Sequence, residues 1–187
     1  NPTVATFSPT DTNSYNKTIS TKVYDSQGNE HTMDQYYVKT GTNAWRVYTY
    51  MDGRTPSDPA NNTLTPLTAD ITFNSDGSIN TLTAGAGWTK TGNTLTMTGW
   101  VPGAITNAAT IPVTWGPNGS VAATGGIAFN MALTTSYNSP TARTAQYQDG
   151  YATGQISSLT IDESGVMTAN FSNQQTKAIG QVAVASF

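Results

Sequence analysis

The stretch "TISTKVYDSQGNEHTMDQYYVKT" (residues 18–40) contains two segments of alternating residues on either side of a short polar turn. In the first segment, Ile19 and Val23 alternate with polar neighbours, and this period of two is typical of a strand with one buried face. Asp25 can accept a backbone N–H of the turn, and Gly28 can adopt the left-handed conformation that closes a short loop. The stretch therefore predicts a β-hairpin closed between Asp25 and Asn29.

The same alternation recurs along the chain, whereas helical periodicity is nearly absent. Three further turns resemble the first one, at residues 74–77, 116–119 and 162–165. We expect about ten short strands, at 18–25, 32–40, 44–51, 69–74, 93–100, 110–116, 127–133, 156–162, 166–172 and 178–187. Strands at this spacing predict an all-β fold, either an antiparallel β-barrel or a flattened β-sandwich built from hairpins, with an irregular β-rich insertion.

The 187 residues suit one domain or two small ones. We expect a single domain over residues 1–187, within which the irregular segment 80–147 is a variable excursion or a sub-domain. Segments 52–68, 101–109 and 138–149 are rich in turn-forming residues or irregular in pattern, and are predicted to be surface loops.

The composition argues against several classes of protein. Charged residues make up 10% of the chain, against a usual value of about 25%, and the net charge is −3. There is no basic patch to neutralise phosphates, so we expect no nucleic-acid partner. No apolar run approaches the roughly 20 residues that a membrane-spanning helix needs. The chain has no cysteine, which excludes disulfides, thiolate metal sites and cysteine catalysis.

The only histidine, His31, lies close to Asp25, Asn29 and Glu30 in the first hairpin. An imidazole near two carboxylates is compatible with a metal site or an acid–base pair. However, neighbours on a strand point to opposite faces, and a zinc site with one histidine and no cysteine is unusual. We therefore interpret residues 25–29 as a structural turn and His31 as decoration on the next strand, so that His31→Ala should leave the fold nearly unchanged.

No other motif predicts catalysis or metal binding. The segment "TFNSDGSINTLT" (72–83) places Asn74, Asp76 and Gly77 as an EF-hand loop would, but threonines occupy its first and twelfth positions, where carboxylates are needed. There is no G-x-S-x-G elbow. We expect no catalytic, cofactor or metal-binding residues, and the alternative of a small hydrolase requires carboxylates that converge in a cleft.

The four tryptophans allow a second alternative function. Trp45, Trp88, Trp100 and Trp115 can stack on sugar rings if they are exposed, or fill the core if they are not. Trp45 shares a strand face with Val47. The alternative is a secreted carbohydrate-binding or adhesin β-sandwich module.

Two long segments resemble a known family. "SYNKTISTKVYDSQGNEHTMDQYYVKTGTNAWRVYT" (14–49) is similar to the start of the outer domain of the bacterial flagellar hook protein, with its Val-Tyr-Asp strand, Gly-Asn turn and Trp-containing strand. "QDGYATGQISSLTIDESGVMTANFSNQQTKAIGQVAVASF" (148–187) is similar to the closing segment, with Asp-Gly-Tyr, Asp-x-x-Gly, Phe-Ser-Asn and Ile-Gly-Gln in order. "ADITFNSDGSI" (69–79) fits the next hairpin of the family, whereas residues 80–147 match poorly.

The resemblance implies an extracellular structural subunit of the flagellar hook, the bent tube that transmits torque from motor to filament as a universal joint. It implies export by the flagellar type III apparatus, and as partners other hook-protein copies, the hook cap and the hook–filament junction proteins. It implies no enzyme activity and no cofactor. We expect this chain to be a fragment whose ends, Asn1 and Phe187, lie at the same pole. The isolated chain should be monomeric. In the assembled tube, this domain should contribute weak lateral contacts between neighbouring copies.

Overall fold

The computed structural model describes residues 6–137, 142 and 146–182, and every regular element within them is a β-strand. The strands are β1 (Lys17–Tyr24), β2 (Glu30–Gly41), β3 (Ala44–Met51), β4 (Leu67–Phe73), β5 (Ile79–Ala84), β6 (Trp88–Thr91), β7 (Thr94–Met97), β8 (Gly103–Asn107), β9 (Thr114–Pro117), β10 (Ile127–Asn130), β11 (Ile156–Ile161), β12 (Val166–Phe171) and β13 (Thr176–Gln181).

Strands β1 to β5 form one antiparallel sheet in which each strand pairs with the next in sequence. The β1–β2 pair begins where Tyr24 faces Glu30 and ends where Lys17 faces Tyr37. The Gly28 N–H donates to the Asp25 carbonyl, and Gly28 has a φ of 77°. The hairpin predicted for residues 18–40 is confirmed, because the left-handed glycine allows the two strands to meet across a short turn.

Three smaller sheets account for the remaining strands, in the orders β10-β7-β6, β8-β9 and β11-β12-β13. All of their pairs are antiparallel. The prediction of an all-β antiparallel fold is confirmed. None of the four sheets formed by the described residues closes on itself, so the architecture consists of open sheets and not of a barrel.

One hydrophobic core joins the five-stranded sheet to the small sheet β10-β7-β6, and we call these two sheets with their shared core the sandwich. The inner face of the five-stranded sheet provides aliphatic, methionine and phenylalanine side chains, and the small sheet and its flanks cover them with aromatic and methionine side chains. The fully packed set is Val23, Met33, Val47, Met51, Ala69, Ile71, Phe73, Leu82, Trp88, Leu95, Met97, Trp100 and Met131. Burial of these apolar side chains is the main stabilising contribution in a domain of this kind.

The sheet β11-β12-β13, which we call the C-terminal sheet, packs differently. Every residue of β11 and β13 is exposed. Registered pairs place Leu159 opposite Ala169 and Ile161 opposite Met167 on a single face. Ala169 is buried, but Leu159 and Ile161 are 55% and 58% exposed, so no layer of the described residues packs over these two side chains.

Some local predictions are wrong. Strands β5 and β6 were not predicted, and segment 101–109 is not a loop, because it contains β8. The turn at 116–119 does not close a hairpin, since β9 pairs with β8 and not with β10. The loop predicted at 52–68 is confirmed up to the start of β4. Most of segment 138–149 lies outside the described residues, as do Asn1 and Phe187.

Candidate functional site

The first turn is held by its own aspartate. Asp25 Oδ1 accepts hydrogen bonds from the backbone N–H groups of Gln27 and Asn29, both at 2.9 Å. Asp25 Oδ2 accepts a further hydrogen bond from Asn29 Nδ2 at 2.8 Å. This is the local capping arrangement that an aspartate at the first position of a turn favours.

A segment far along the chain binds the same carboxylate. Asn118 Nδ2 donates to Asp25 Oδ2 at 2.9 Å, and the Ser120 hydroxyl donates to the same oxygen. The backbone next to this segment is also joined to the turn, since the Ser26 N–H donates to the Val121 carbonyl at 3.0 Å. The turn therefore fixes the position of the chain that leaves β9.

The His31 side chain contacts Asp25 and a second aspartate, Asp52. Its Nδ1 is 2.6 Å from Asp52 Oδ2, and its Nε2 is 3.3 Å from Asp25 Oδ2. Its ring and that of Trp100 form a T-shaped pair, with a centroid distance of 5.0 Å and an interplanar angle of 86°. We call Asp25, His31, Asp52, Asn118 and Ser120 the turn cluster.

The prediction that His31 decorates the strand is wrong, because only 4% of the residue is exposed. The register explains its burial. His31 faces Val23 across the β1–β2 pair, and Val23 belongs to the core face. The prediction that Glu30 points to the opposite face is confirmed, since Glu30 is exposed and forms an ion pair with Lys22 at 3.0 Å. His31→Ala is therefore expected to destabilise the fold, contrary to the expectation from sequence.

The electrostatics of the cluster favour an ionised Asp25. Burial by itself would raise the pKa of Asp25, but hydrogen bonds from Ser120, Asn29 and Asn118 outweigh this effect and hold the pKa far below its usual range. Asp52 makes a second contact with the backbone, because its Oδ1 accepts the Thr32 N–H at 2.8 Å. The cluster thus provides a donor for each buried carboxylate oxygen of Asp25.

This arrangement is complete without a ligand. Both carboxylate oxygens of Asp25 and both ring nitrogens of His31 already have partners within the protein. The Ser120 hydroxyl is directed at Asp25, so it lacks the histidine contact that activates a serine nucleophile. Within the residues that the structure describes, no group of three or more His, Cys, Asp or Glu side chains is placed to hold a metal ion.

Sequence reasoning identified only part of the cluster. It linked Asp25 with His31 but missed Asp52, Asn118 and Ser120. Asp52 follows β3 in an Asp-Gly turn, where its φ is 52°. Asn118 and Ser120 are more than 90 residues from Asp25. The sequence signal for Asn118 and Ser120 was the Asn-Gly-Ser turn after β9. Because this turn does not close a hairpin, its polar side chains need hydrogen-bond partners elsewhere in the fold.

The other candidates have structural roles. Asp76 Oδ1 accepts the Ser78 N–H at 2.9 Å and the Ser78 hydroxyl at 2.6 Å, so the segment that partly matches a calcium loop forms the β4–β5 turn. Trp88 and Trp100 are 8% and 4% exposed and belong to the core. Trp45 packs against the core, and Trp115 is partly covered by Arg54. The tryptophans therefore form no exposed row for sugar stacking.

The fold and the turn cluster define a β-structured module in which the polar groups of the cluster bind one another and stabilise the fold. No helix among the described residues is long and apolar enough to span a membrane.

Comparison with known proteins identifies the family. The family model for the "Flagellar basal body protein FlaE D2 domain" matches residues 1–151. The flagellar hook protein FlgE of Escherichia coli (strain K12) is 35% identical over 188 aligned residues, covering 100% of this chain. The corresponding protein of Salmonella typhimurium is 34% identical over the same length. The chain belongs to the flagellar hook protein family and contains its D2 domain.

The chain spans 39% of the length of these two relatives. A solved structure, the flagellar hook protein FlgE2 of Helicobacter pylori, is similar over 89% of this chain and 32% of its own, with a TM-score of 0.42 and 17% identity. The single-domain organisation expected for residues 1–187 stays a prediction, since the family model ends at residue 151.

Proposed function

We propose that this chain is the outer β domain region of a structural subunit of the bacterial flagellar hook, the curved extracellular tube that transmits torque between motor and filament. The observation that carries the proposal is the alignment of the entire chain with proteins named as flagellar hook proteins at 34–35% identity. Other copies of the hook protein are its principal partners, and the hook cap and the hook–filament junction proteins are further partners. It reaches its site by flagellar type III export and has no enzymatic activity.

The composition supports a role in a tube that bends. Bending shortens one side of a tube and lengthens the other, so contacts between subunits at large radius must slide or be remade. Large apolar interfaces would resist sliding, because each 100 Å² of lost apolar contact costs about 2.5 kcal/mol. Only 10% of the residues in the chain are charged, and many are Thr, Asn, Gln or Ser. A surface of such uncharged polar side chains makes contacts that water replaces at little net cost.

The sandwich and the C-terminal sheet contribute differently to this role. The sandwich has its own packed core and keeps its shape while neighbouring subunits move. The C-terminal sheet exposes Ile156, Leu159 and Ile161 on one apolar face. Because the relatives are much longer than this chain, we assign the cover of that face to parts of the full-length hook protein beyond this chain.

Immunogold electron microscopy tests the proposal. An antibody raised against this chain is applied to intact flagellated cells of the source bacterium, with a mutant lacking the gene as the control. We expect gold confined to the short curved segment at the base of each flagellum. Gold distributed over the envelope, with unlabelled hooks, would contradict the proposal and direct attention to glycan binding.

A further inference from the structure

The hairpin formed by β8 and β9 projects from the sandwich. Every residue from Ile105 to Pro112 is exposed, and Ile111 near the tip is fully exposed. The two strands pair only with each other, so both of their outer edges are free of other described strands. Ile105 in the same hairpin is 50% exposed, so both isoleucines leave apolar surface uncovered by the described residues. The tip is therefore a candidate contact with another molecule.

The base of the hairpin is firmly attached. The Arg54 guanidinium lies 5.6 Å from the centroid of the Trp115 ring, and its Nε donates to the Pro59 carbonyl at 3.0 Å. A Cβ atom added to Gly103 would lie 2.5 Å from Pro59 Cβ, so this glycine allows close contact between hairpin and loop. The tip is therefore presented in a defined direction and does not need to be ordered on binding.

The tip itself is braced by hydrogen bonds. The Ala109 N–H donates to Asn107 Oδ1 at 2.9 Å, and the hydroxyls of Thr110 and Thr114 lie 2.9 Å apart. These bonds satisfy polar groups locally and leave the Ile111 side chain as the most prominent feature of the tip. A braced apolar tip loses little conformational entropy when it contacts a partner.

The charge distribution identifies the kind of partner. No Asp, Glu, Lys, Arg or His occurs between Lys90 and Arg143, so the β8–β9 hairpin itself carries no charge. The Arg54 guanidinium lies at the base of the hairpin, whereas the tip from Ile105 to Pro112 offers a charged partner no complementary group. A second copy of the chain, which carries a net charge of −3, meets no like charge when it approaches through this surface.

We propose that the β8–β9 hairpin is a lateral contact surface through which one copy of the protein touches the next, with Ile111 as its apolar anchor. The inference rests on the proposed function, because only a polymer of copies holds the partner in place. One isoleucine and its neighbours cover much less than the roughly 800 Å² per partner of a stable interface. The contact is therefore absent between free subunits and forms at the high effective concentration within the tube.

Site-specific cross-linking tests this contact. A photoreactive phenylalanine analogue replaces Ile111 in the full-length protein in the source bacterium, and isolated hooks are irradiated. We expect a covalent subunit dimer at least about tenfold stronger than that from the same variant before polymerisation. Hooks that contain the variant but yield only monomer, or a cross-link to a different protein, would overturn the contact and leave the proposed function intact. Absence of the chain from hooks would overturn both.

A charge variant provides the second measurement. Ile111→Asp is compared with Ile111→Val and with Asn93→Asp, which places the same charge at another exposed turn of the uncharged segment. We expect Ile111→Asp alone to lower the temperature at which isolated hooks depolymerise. An equal shift from Asn93→Asp would show a general effect of charge and would contradict the specific role of Ile111.

Discussion

The sandwich and the C-terminal sheet are built from strands of similar kind, yet they differ in what their apolar residues contact. Strand β2 alternates buried and partly exposed residues along most of its length, whereas all six residues of β11 are exposed. Both strands pair with antiparallel neighbours. The comparison teaches that strand pairing alone does not form a core, because an apolar sheet face becomes buried only when a second layer covers it.

A hydrogen bond connects the first turn of the sandwich to the segment that precedes the C-terminal sheet. The Thr153 hydroxyl donates to the Gln27 carbonyl at 2.6 Å, and Gly28 lies against the backbone of Thr153. A small polar contact thus joins the turn at residues 25–29 to the segment that precedes the C-terminal sheet. We therefore expect substitutions in the sandwich to cost much more stability than equivalent substitutions in the C-terminal sheet.

The largest expected effect comes from truncating a buried side chain of the sandwich. Met97 is 0% exposed, and Met97→Ala is expected to lower the free energy of unfolding by about 3 kcal/mol through lost contacts and a residual cavity. The measurement is urea unfolding followed by tryptophan fluorescence, which reports mainly the sandwich because Trp45, Trp88 and Trp100 belong to its core or pack against it.

Ile161→Ala is the matched control in the C-terminal sheet. Ile161 is 58% exposed, and its truncation is expected to change the same free energy by about 0.5 kcal/mol or less. Equal losses from the two variants would show that the regions share one core, and would remove the distinction between them.

The next largest effect is expected at the turn cluster. Asp25→Ala removes the acceptor for Asn118 and Ser120 together with a contact of His31, and is expected to cost about 2 kcal/mol because buried donors lose their partner. Asp76→Ala is the control, since Asp76 accepts similar hydrogen bonds within an exposed turn. If both variants lose the same stability, the long-range contacts of Asp25 contribute nothing beyond the turn.

The same carboxylate predicts a dependence on pH. The pKa of Asp25 is lowered in the folded chain relative to its ordinary value of 3.8. A lowered folded-state pKa stabilises the fold fully above the ordinary value and progressively less as the pH falls below it. Urea unfolding measured from neutral pH down through the acid range should show a steeper loss for the unmodified chain than for Asp25→Asn. Parallel profiles would assign the acid sensitivity to other carboxylates.

A smaller effect tests the contact between the two regions. Gly28 and Gly119 both have positive φ, 77° and 87°, so alanine strains the backbone at either position. A Cβ at Gly28 would also lie 2.6 Å from the Thr153 backbone nitrogen, whereas a Cβ at Gly119 has no atom within 4 Å. We expect Gly28→Ala to cost about 1 kcal/mol more than Gly119→Ala in urea unfolding. Equal costs would mean that the Thr153 segment shifts to make room for the added Cβ atom without loss of stability.

Much of the sandwich could be predicted from the sequence because its strands alternate clearly. The β1–β2 hairpin combines this alternation with a turn that starts at Asp25 and contains Gly28. By contrast, β8 is only five residues long, follows Pro102 and begins at Gly103, so its period of two was not visible. Short strands of this kind depend on the residues they contact in the fold.

The turn cluster could be predicted only where it is local. Asp25 and His31 are six residues apart, and their proximity follows from the hairpin register. Asn118 and Ser120 approach Asp25 only after the middle of the chain has packed on the five-stranded sheet. The burial of His31 was missed because sequence alone did not show which face of β2 meets the core.

Hydrogen exchange of the isolated 187-residue chain, measured by NMR or mass spectrometry, tests the central comparison most directly. We predict that the amides of β2, β3 and β4 exchange only through global unfolding, whereas those of β11, β12 and β13 exchange through smaller openings of lower free energy. In the full-length protein, protection of the C-terminal sheet should rise toward that of the sandwich. Equal protection of the two regions in the isolated chain would contradict the account.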